Sequence, residues 1–446
     1  MAFFGRNNSF KVHHHVHTVQ GRTTIQALID RRAKTYRELN YLLDPMARLP
    51  LELQSQIFLY VERRSWDCKA DPRDVPMLFL NVCHLWRVIA LSTPRLWTEI
   101  KIDSLPCSAN YIALYKNWME RAGRLPLSLS LKGFLEPEDT DFHDLVDRHR
   151  YQVKSLTLNW PSKARRSSDS TPVRLNGLFP SLRKLDIWAR RDDVYDADEL
   201  LDLLRAAPNV SHCHFDEVFY DQENDLVTED ELLELSDLPL TLSSLEDLEL
   251  GDPQLYAYLG HSSSGCAILR YLCLPALKKL SLTVLNIEDV ISFFTRSSPP
   301  LESLFMTLEI LWTEPLVHQY LRLLPTLTEL DLSARLLPFT TFVEVLSTSP
   351  NLLPNLRALS LGAFYTAKID YNAILQMLTA RRSTNLEKLS VYLQPLEWDD
   401  DARPAGPPVK FTALPDAEAK LALQQFVKEG MKIDVGPVGR NVLTEE

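Results

Sequence analysis

Histidine is the residue type in this chain that first suggests chemistry. His13, His14, His15 and His17 fall in one short tract, and His212 and His214 flank Cys213 in "SHCHF". Imidazole and thiolate are ligands for zinc and copper, so each cluster is a metal-site candidate by residue type. The spacing argues the other way. The first tract sits in a basic arm with no nearby carboxylates to orient the rings. In a strand, His212 and His214 share one face while Cys213 takes the other, so a site would need further ligands from neighbouring strands. The six cysteines (Cys68, Cys83, Cys107, Cys213, Cys266 and Cys273) form no CxxC pair and show no disulfide-framework spacing, and they read as free thiols. Asp399, Asp400 and Asp401 are a solvated acidic run. The sequence has no Gly-rich dinucleotide fingerprint, no phosphate loop of the Walker type, no GxSxG elbow and no HExxH. The expectation is no cofactor, no metal and no catalytic residue, hence a chain that is not an enzyme.

The elements must therefore serve binding. With 446 residues, 45% hydrophobic and 24% charged, the chain has material for a large core. The formal net charge of -11 weighs against binding a phosphate backbone. The charge is uneven. Residues 1–40 carry seven Lys or Arg and two Asp or Glu, a balance of +5, which leaves 41 minus 57, or -16, for the rest. The start, "MAFFGRNNSF", lacks a secretory apolar stretch, and no run nears 18 apolar residues, so the expected location is the cytoplasm, the nucleus or both, with no membrane span.

Helical periodicity opens at Ile25. Ile25, Leu28, Arg32, Tyr36, Leu39 and Leu43 lie on one helical face, with Ile29 beside them. That stripe serves either packing on the next module or weak self-association; packing is the reading taken here. In "ARLPLELQSQIFL", Pro50 fits a first helical turn and Glu52 suits the positive end of the helix dipole. Leu53, Ile57 and Val61 then share a face, with Phe58 beside them. After a polar turn, a second apolar segment over Met77–Leu91 carries Leu78, Val82, Leu85, Trp86 and Ile89 at helical spacing, and Thr93-Pro94 stops it.

The order of residue types is more specific than the periodicity. "LPLELQSQIF" followed by "NVCHLWRVIALSTPRLW" resembles an F-box, over roughly Pro45 to Ile100. Leu51 and the His84-Leu85 pair depart from the usual pattern without removing an apolar anchor. "STPRLWTEI" with the later "LPLSLSL" (Leu125 to Leu131) is similar to the large F-box family of mushroom-forming fungi. The resemblance implies a three-helix module that docks on the Skp-type adaptor of a cullin–RING ubiquitin ligase. It assigns Leu49, Pro50, Leu53, Ile57, Phe58, Val82, Cys83, Trp86 and Pro94 to the module core or the docking face. Independently, three short helices cannot enclose all these apolar residues, and an exposed apolar patch calls for a partner.

Downstream, L-x-x-L-x-L recurs roughly every 29 residues, at Val153, Leu182, Val210, Leu245, Leu277, Leu301, Leu327, Leu356 and Leu386, often with Pro or Asn just before it. Helical spacing follows several of these, in "DADELLDLLRAAPN", "NIEDVISFFTRSSP", "TTFVEVLSTSP" and "DYNAILQMLTARRS". The fold class expected is α/β: an N-terminal three-helix F-box module, then an irregular leucine-rich-repeat solenoid with a curved parallel sheet. The expected divisions are 1–44, a basic arm and amphipathic helix; 45–103, the F-box; 104–395, the repeats; and 396–446, a linker, a helix capped by Asp416 and stopped by Gly430, and a closing strand at "MKIDV". "SKARRSSDSTP" (Ser162 to Pro172) reads as a basic loop insert open to phosphorylation or simply unstructured.

In each repeat strand the residue between the last two leucines points away from the core. These are Thr157, Asp186, His214, Glu249, Ser281, Phe305, Asp331, Ser360 and Ser390, expected to form a mildly acidic stripe with Phe305 as its lone exposed aromatic. Asp186, Glu249, Phe305 and Asp331 are the candidate substrate-binding residues; the alternative is that the long loops near Arg165 and Tyr220 bind instead. The function expected is substrate recognition in an SCF-type cullin–RING ubiquitin ligase, with a Skp-type adaptor and an unknown protein substrate as partners. The alternative is a leucine-rich-repeat scaffold outside any ligase.

Overall fold

A computed structural model describes residues 24–36, 38–39, 43, 45–61, 75–105, 109–133, 140–159, 178–188, 197–215, 239–251, 265–284, 287–308, 313–334, 340–364, 369–394, 414–437 and 440–444. His13–His17, Ser162–Pro172, Asp399–Asp401, Arg165 and Tyr220 lie outside the described residues. The chain divides into two compact units, Met1–Trp97 and Thr98–Glu446.

In the first unit three helices surround an aromatic cluster. They are Leu51–Tyr60, Met77–Val82 and His84–Leu91. Phe58 stacks on Phe79 with centroids 4.0 Å apart, and Trp86 packs against them at 5.1 and 5.8 Å. The expected single helix over Met77–Leu91 is two, because Cys83 adopts an extended backbone (φ -155°, ψ 172°). The thiol of Cys83 then caps the second helix by accepting the Trp86 backbone N–H at 3.5 Å. Nothing in "NVCHLW" marks that break, since it holds neither Gly nor Pro.

Two further closures are polar. The Gln54 side chain donates to the carbonyls of Met46 and Leu49, both at 2.7 Å, tying the helix to the turn before it. The buried Thr93 hydroxyl donates to Ile89 O at 2.7 Å, and the indole N–H of Trp97 donates to Ala90 O at 2.9 Å, so the 3-10 turn Pro94–Trp97 is anchored to the helix it follows.

The second unit is built on one twelve-stranded parallel sheet whose strands follow the order of the chain. Its strands are β1 (Glu99–Leu105), β2 (Leu127–Gly133), β3 (Val153–Asn159), β4 (Lys184–Trp188) and β5 (His212–Phe215). Between β5 and β7 comes β6 (Leu240–Thr241), which pairs with β8 (Leu272–Cys273) in a separate two-stranded sheet. The main sheet continues through β7 (Asp247–Leu250), β9 (Lys279–Val284), β10 (Ser303–Leu308), β11 (Glu329–Ala334), β12 (Ala358–Phe364), β13 (Lys388–Gln394) and β14 (Lys432–Pro437). Parallel neighbours need a crossover, and helices supply it: Ala197–Ala206, Ile287–Ser297, Glu314–Arg322, Thr340–Thr348 and Tyr371–Ala380 among them. A 3-10 segment, Gly265–Tyr271, stands before β9 where the repeat pattern anticipates a helix.

All nine template sites become strands. β1 and β2 precede them, since "EIKIDSL" and "LSLSLKG" keep the alternation without the leading leucine. The alternate strand residues, such as Leu280 and Leu282 or Leu359 and Leu361, are fully buried with the helix residues Val290, Phe293, Ile374 and Leu378. The recurring Pro and Asn have a structural role. Asn209, Asn355 and Asn385 each donate to the carbonyl of the proline one repeat earlier, Pro180, Pro325 and Pro354, at 3.0, 3.0 and 3.3 Å. These bonds satisfy turn carbonyls that no strand reaches. In the tail Asp416 caps helix Ala417–Lys428 through Ala419 N at 2.8 Å, Gly430 sits at φ 104°, and β14 pairs with β13 at the end of the sheet; the expected linker lies outside the described residues. No described helix is long and apolar enough to cross a membrane.

Candidate functional sites

Among the described residues, each unit leaves surface open that its own fold does not use. In the first unit, Gln54 and Phe58 turn inward from helix Leu51–Tyr60. The shared face of Leu53, Ile57 and Val61 therefore looks outward, with Leu53 and Ile57 45% and 40% exposed. Val82 is 50% exposed, and Leu51, Leu59, Val88 and Leu91 are exposed as well. Of the residues assigned to this module, Phe58 is core; Pro50, Leu53, Ile57, Val82 and Pro94 are exposed; Leu49, Cys83 and Trp86 are half-buried. The stripe of helix 24–36 is open too: Ile25, Leu28, Tyr36, Leu39 and Leu43 are all exposed, which corrects the expectation that it packs on the next module. The Arg32 guanidinium instead lies over the Tyr36 ring at 5.3 Å.

In the second unit the outward stripe forms in register. Thr157 pairs with Asp186, Asp186 with His214, His214 with Glu249, and Glu249 with Ser281. The ladder continues through Phe305, Asp331, Ser360 and Ser390, and Lys101, Ser130 and Asp434 extend it at both ends. A second row lies one pleat earlier on the same face: Lys184, His212, Asp247, Lys279 and Ser303. It brings lysines next to the carboxylates of the first row.

Across β4 to β10 these two rows line a cavity of about 640 Å³. Trp188 stands at the β4 end and Phe305 at the β10 end, so the cavity has a second aromatic from one pleat beyond the stripe. Trp188 is 40% exposed and lies against the His214 ring at 4.7 Å. Within the cavity Lys184 Nζ binds Asp186 Oδ2 at 2.7 Å, which leaves Asp186 buried and its charge met. Glu249 Oε2 pairs with His214 Nδ1 at 3.0 Å, and that hydrogen bond holds the Glu249 carboxyl below the usual range. Burial pushes the Asp247 carboxyl upward, against the pull of nearby His212 and Lys279. Cys213 faces the core on the far side of the strand, and burial raises its thiol pKa. Among the described residues no three of His, Cys, Asp and Glu are grouped as a metal would require.

The structure brings Asp186, Glu249 and Phe305 to one cavity and leaves Asp331 outside it. Asp331 accepts the Tyr392 hydroxyl at 2.7 Å and a hydrogen bond from Ser360, yet burial raises its carboxyl pKa to about 6. A carboxyl raised in the folded state contributes stability at pH below about 4, where both states are protonated, and loses it as pH rises through about 6. Asp331→Asn is accordingly expected to be more stable than wild type by about 1–2 kcal/mol at pH 7.5, with the gain vanishing near pH 4, as urea melts at both pH values can check. The Tyr392 ring also lies over Gly362, where an added Cβ would come within 2.5 Å of it. The ring cannot swing away cheaply, because its hydroxyl is tied to Asp331. Gly362→Ala should cost about 1–3 kcal/mol, and Gly362→Ala with Tyr392→Ala should recover the clash component of that loss.

The row of Lys184, His212, Asp247 and Lys279 was open to sequence reasoning, two residues ahead of the stripe in every repeat. No protein-family model matches the chain, and no curated protein matches it.

Proposed function

We propose that the chain is the substrate-recognition subunit of an SCF-type cullin–RING ubiquitin ligase. In this reading Met1–Trp97 contains an F-box that docks a Skp-type adaptor, and Thr98–Glu446 is a leucine-rich-repeat array that holds a protein substrate. The single observation that carries it is the exposure of Leu53, Ile57 and Val82 on helices that pack on a Phe58–Phe79–Trp86 centre. A monomeric soluble unit rarely leaves so many large apolar side chains in water on one small set of helices. The same residues are those at which the sequence resembles an F-box. The chain itself supplies proximity: it holds the substrate near a ubiquitin-transferring subunit whose chemistry lies elsewhere.

Titration of a purified Skp-type adaptor into the full chain tests the reading by calorimetry. One adaptor should bind per chain with a dissociation constant of about 1 μM or tighter. Absence of binding at about 100 μM adaptor would end this assignment.

A further inference from the structure

We propose that the cavity between Trp188 and Phe305 recognises a peptide segment in the polyproline II conformation with an arginine midway between two apolar side chains. This rests on the reading of the sheet face as a protein-binding surface and adds the class of segment it takes.

The cavity has a regular geometry because its lining comes from five adjacent parallel strands. Their order across it is β4, β5, β7, β9, β10. Trp188 is on β4 and Phe305 on β10, so four strand spacings of about 4.8 Å separate the two aromatic walls, about 19 Å in all. A polyproline II chain advances about 3.1 Å per residue with three residues per turn, so about six residues bridge that distance and side chains three apart share one face. The middle strand, β7, carries Asp247 and Glu249 on the same face, both lining the cavity. They lie about 10 Å from either wall, close to three residues, or one turn, of such a chain.

The charges favour a cation at that midpoint. Lys184 and Lys279 face Asp186, Asp247 and Glu249, so the lining balances at 2 minus 3, or -1, with histidine neutral. Lys184 is bound to Asp186 at 2.7 Å, and Lys279 is exposed, with room to turn outward. Glu249 uses Oε2 on His214, which leaves Oε1 to accept from a ligand. Asp247 has Lys279 as a charged neighbour and His212 beside it, while its carboxylate accepts no hydrogen bond among the described residues. Two carboxylates two residues apart on one strand face suit the planar five-donor fork of a guanidinium better than the point charge of an ammonium. The aromatic walls would take leucine-sized side chains.

The test uses the full chain and two fluorescein-labelled, end-capped heptapeptides, Leu-Ser-Ser-Arg-Ser-Ser-Leu and the same peptide with Glu at the centre, read by polarisation. The Arg peptide should bind at least about tenfold more tightly than the Glu peptide. Asp247→Asn with Glu249→Gln should erase that preference, and Trp188→Ala should weaken the Arg peptide about tenfold. A third probe needs no variant: closing the leucines to Leu-Arg-Leu should cost wild-type protein about tenfold. Equal affinity for the Arg and Glu peptides, a preference that survives in the double variant, or no binding of the Arg peptide at about 1 mM would overturn the proposal. The same preparation is titrated with the adaptor. Adaptor binding without peptide preference refutes the cavity assignment alone, and peptide preference without adaptor binding refutes the ligase reading alone.

Discussion

Replacing Leu53 and Ile57 together with Asp is expected to lower adaptor affinity at least about a hundredfold, or about 2.8 kcal/mol, while the three-helix unit stays folded. The two halves of that result have separate causes. Both side chains are about half exposed and lie on a different helix face from the inward pair Gln54 and Phe58, which keeps the new carboxylates outside the aromatic centre. Surface changes of this kind usually shift stability by only about 0.5 kcal/mol. At a docked apolar interface, by contrast, each new carboxylate would be stripped of water with no cation to meet it, a cost of several kcal/mol in principle. Calorimetry with the adaptor reads the first half, and thermal melting followed by near-ultraviolet circular dichroism reads the second. Wild-type affinity in the folded double variant would remove this face from the interface.

Trp97→Ala is expected to have the largest effect on stability in the first unit, about 3–5 kcal/mol. The side chain is fully buried, and it closes the turn that follows helix His84–Leu91. Truncation leaves a large cavity and deprives the Ala90 carbonyl of the indole N–H that reaches it at 2.9 Å. With domain stabilities of about 5–15 kcal/mol, a loss of that size leaves a substantial unfolded fraction. Trp97→Phe separates the two terms, since it restores most of the volume without the donor. Urea unfolding followed by circular dichroism should rank the stabilities as wild type, Phe, then Ala; Ala within 1 kcal/mol of wild type, a threshold of roughly the size of an ordinary point-mutation effect, would contradict the account.

Much of the second unit was legible because its signal is repetitive. Leucine at alternate positions, a proline two residues ahead and an asparagine one ahead mark a strand and the turn before it, as at Pro354, Asn355 and Leu356. Parallel pairing in register then places equivalent residues side by side, which is why the stripe from Thr157 to Ser390 assembled as expected. What the pattern hid was use. Nothing in "LSL" or "LDL" says that Tyr392 reaches across two strands to occupy Asp331, or that Lys184 folds onto Asp186. Those contacts depend on long side chains crossing between neighbouring repeats, and the repeat period is silent about them. In the first unit the limitation was rotational. The stripe of Leu53, Ile57 and Val61 and the pair Gln54 and Phe58 are both helical faces, and burial chose the second because Phe58 alone brings a ring to Phe79 and Trp86.

The most direct measurement of the central claim is capture on an immobilised cullin–RING subunit with and without a purified Skp-type adaptor. The account predicts that the full chain is retained only when adaptor is present, in equal amount to it, and that the Leu53→Asp, Ile57→Asp variant is not retained. Retention that is the same without adaptor, or no retention with it, would contradict the account.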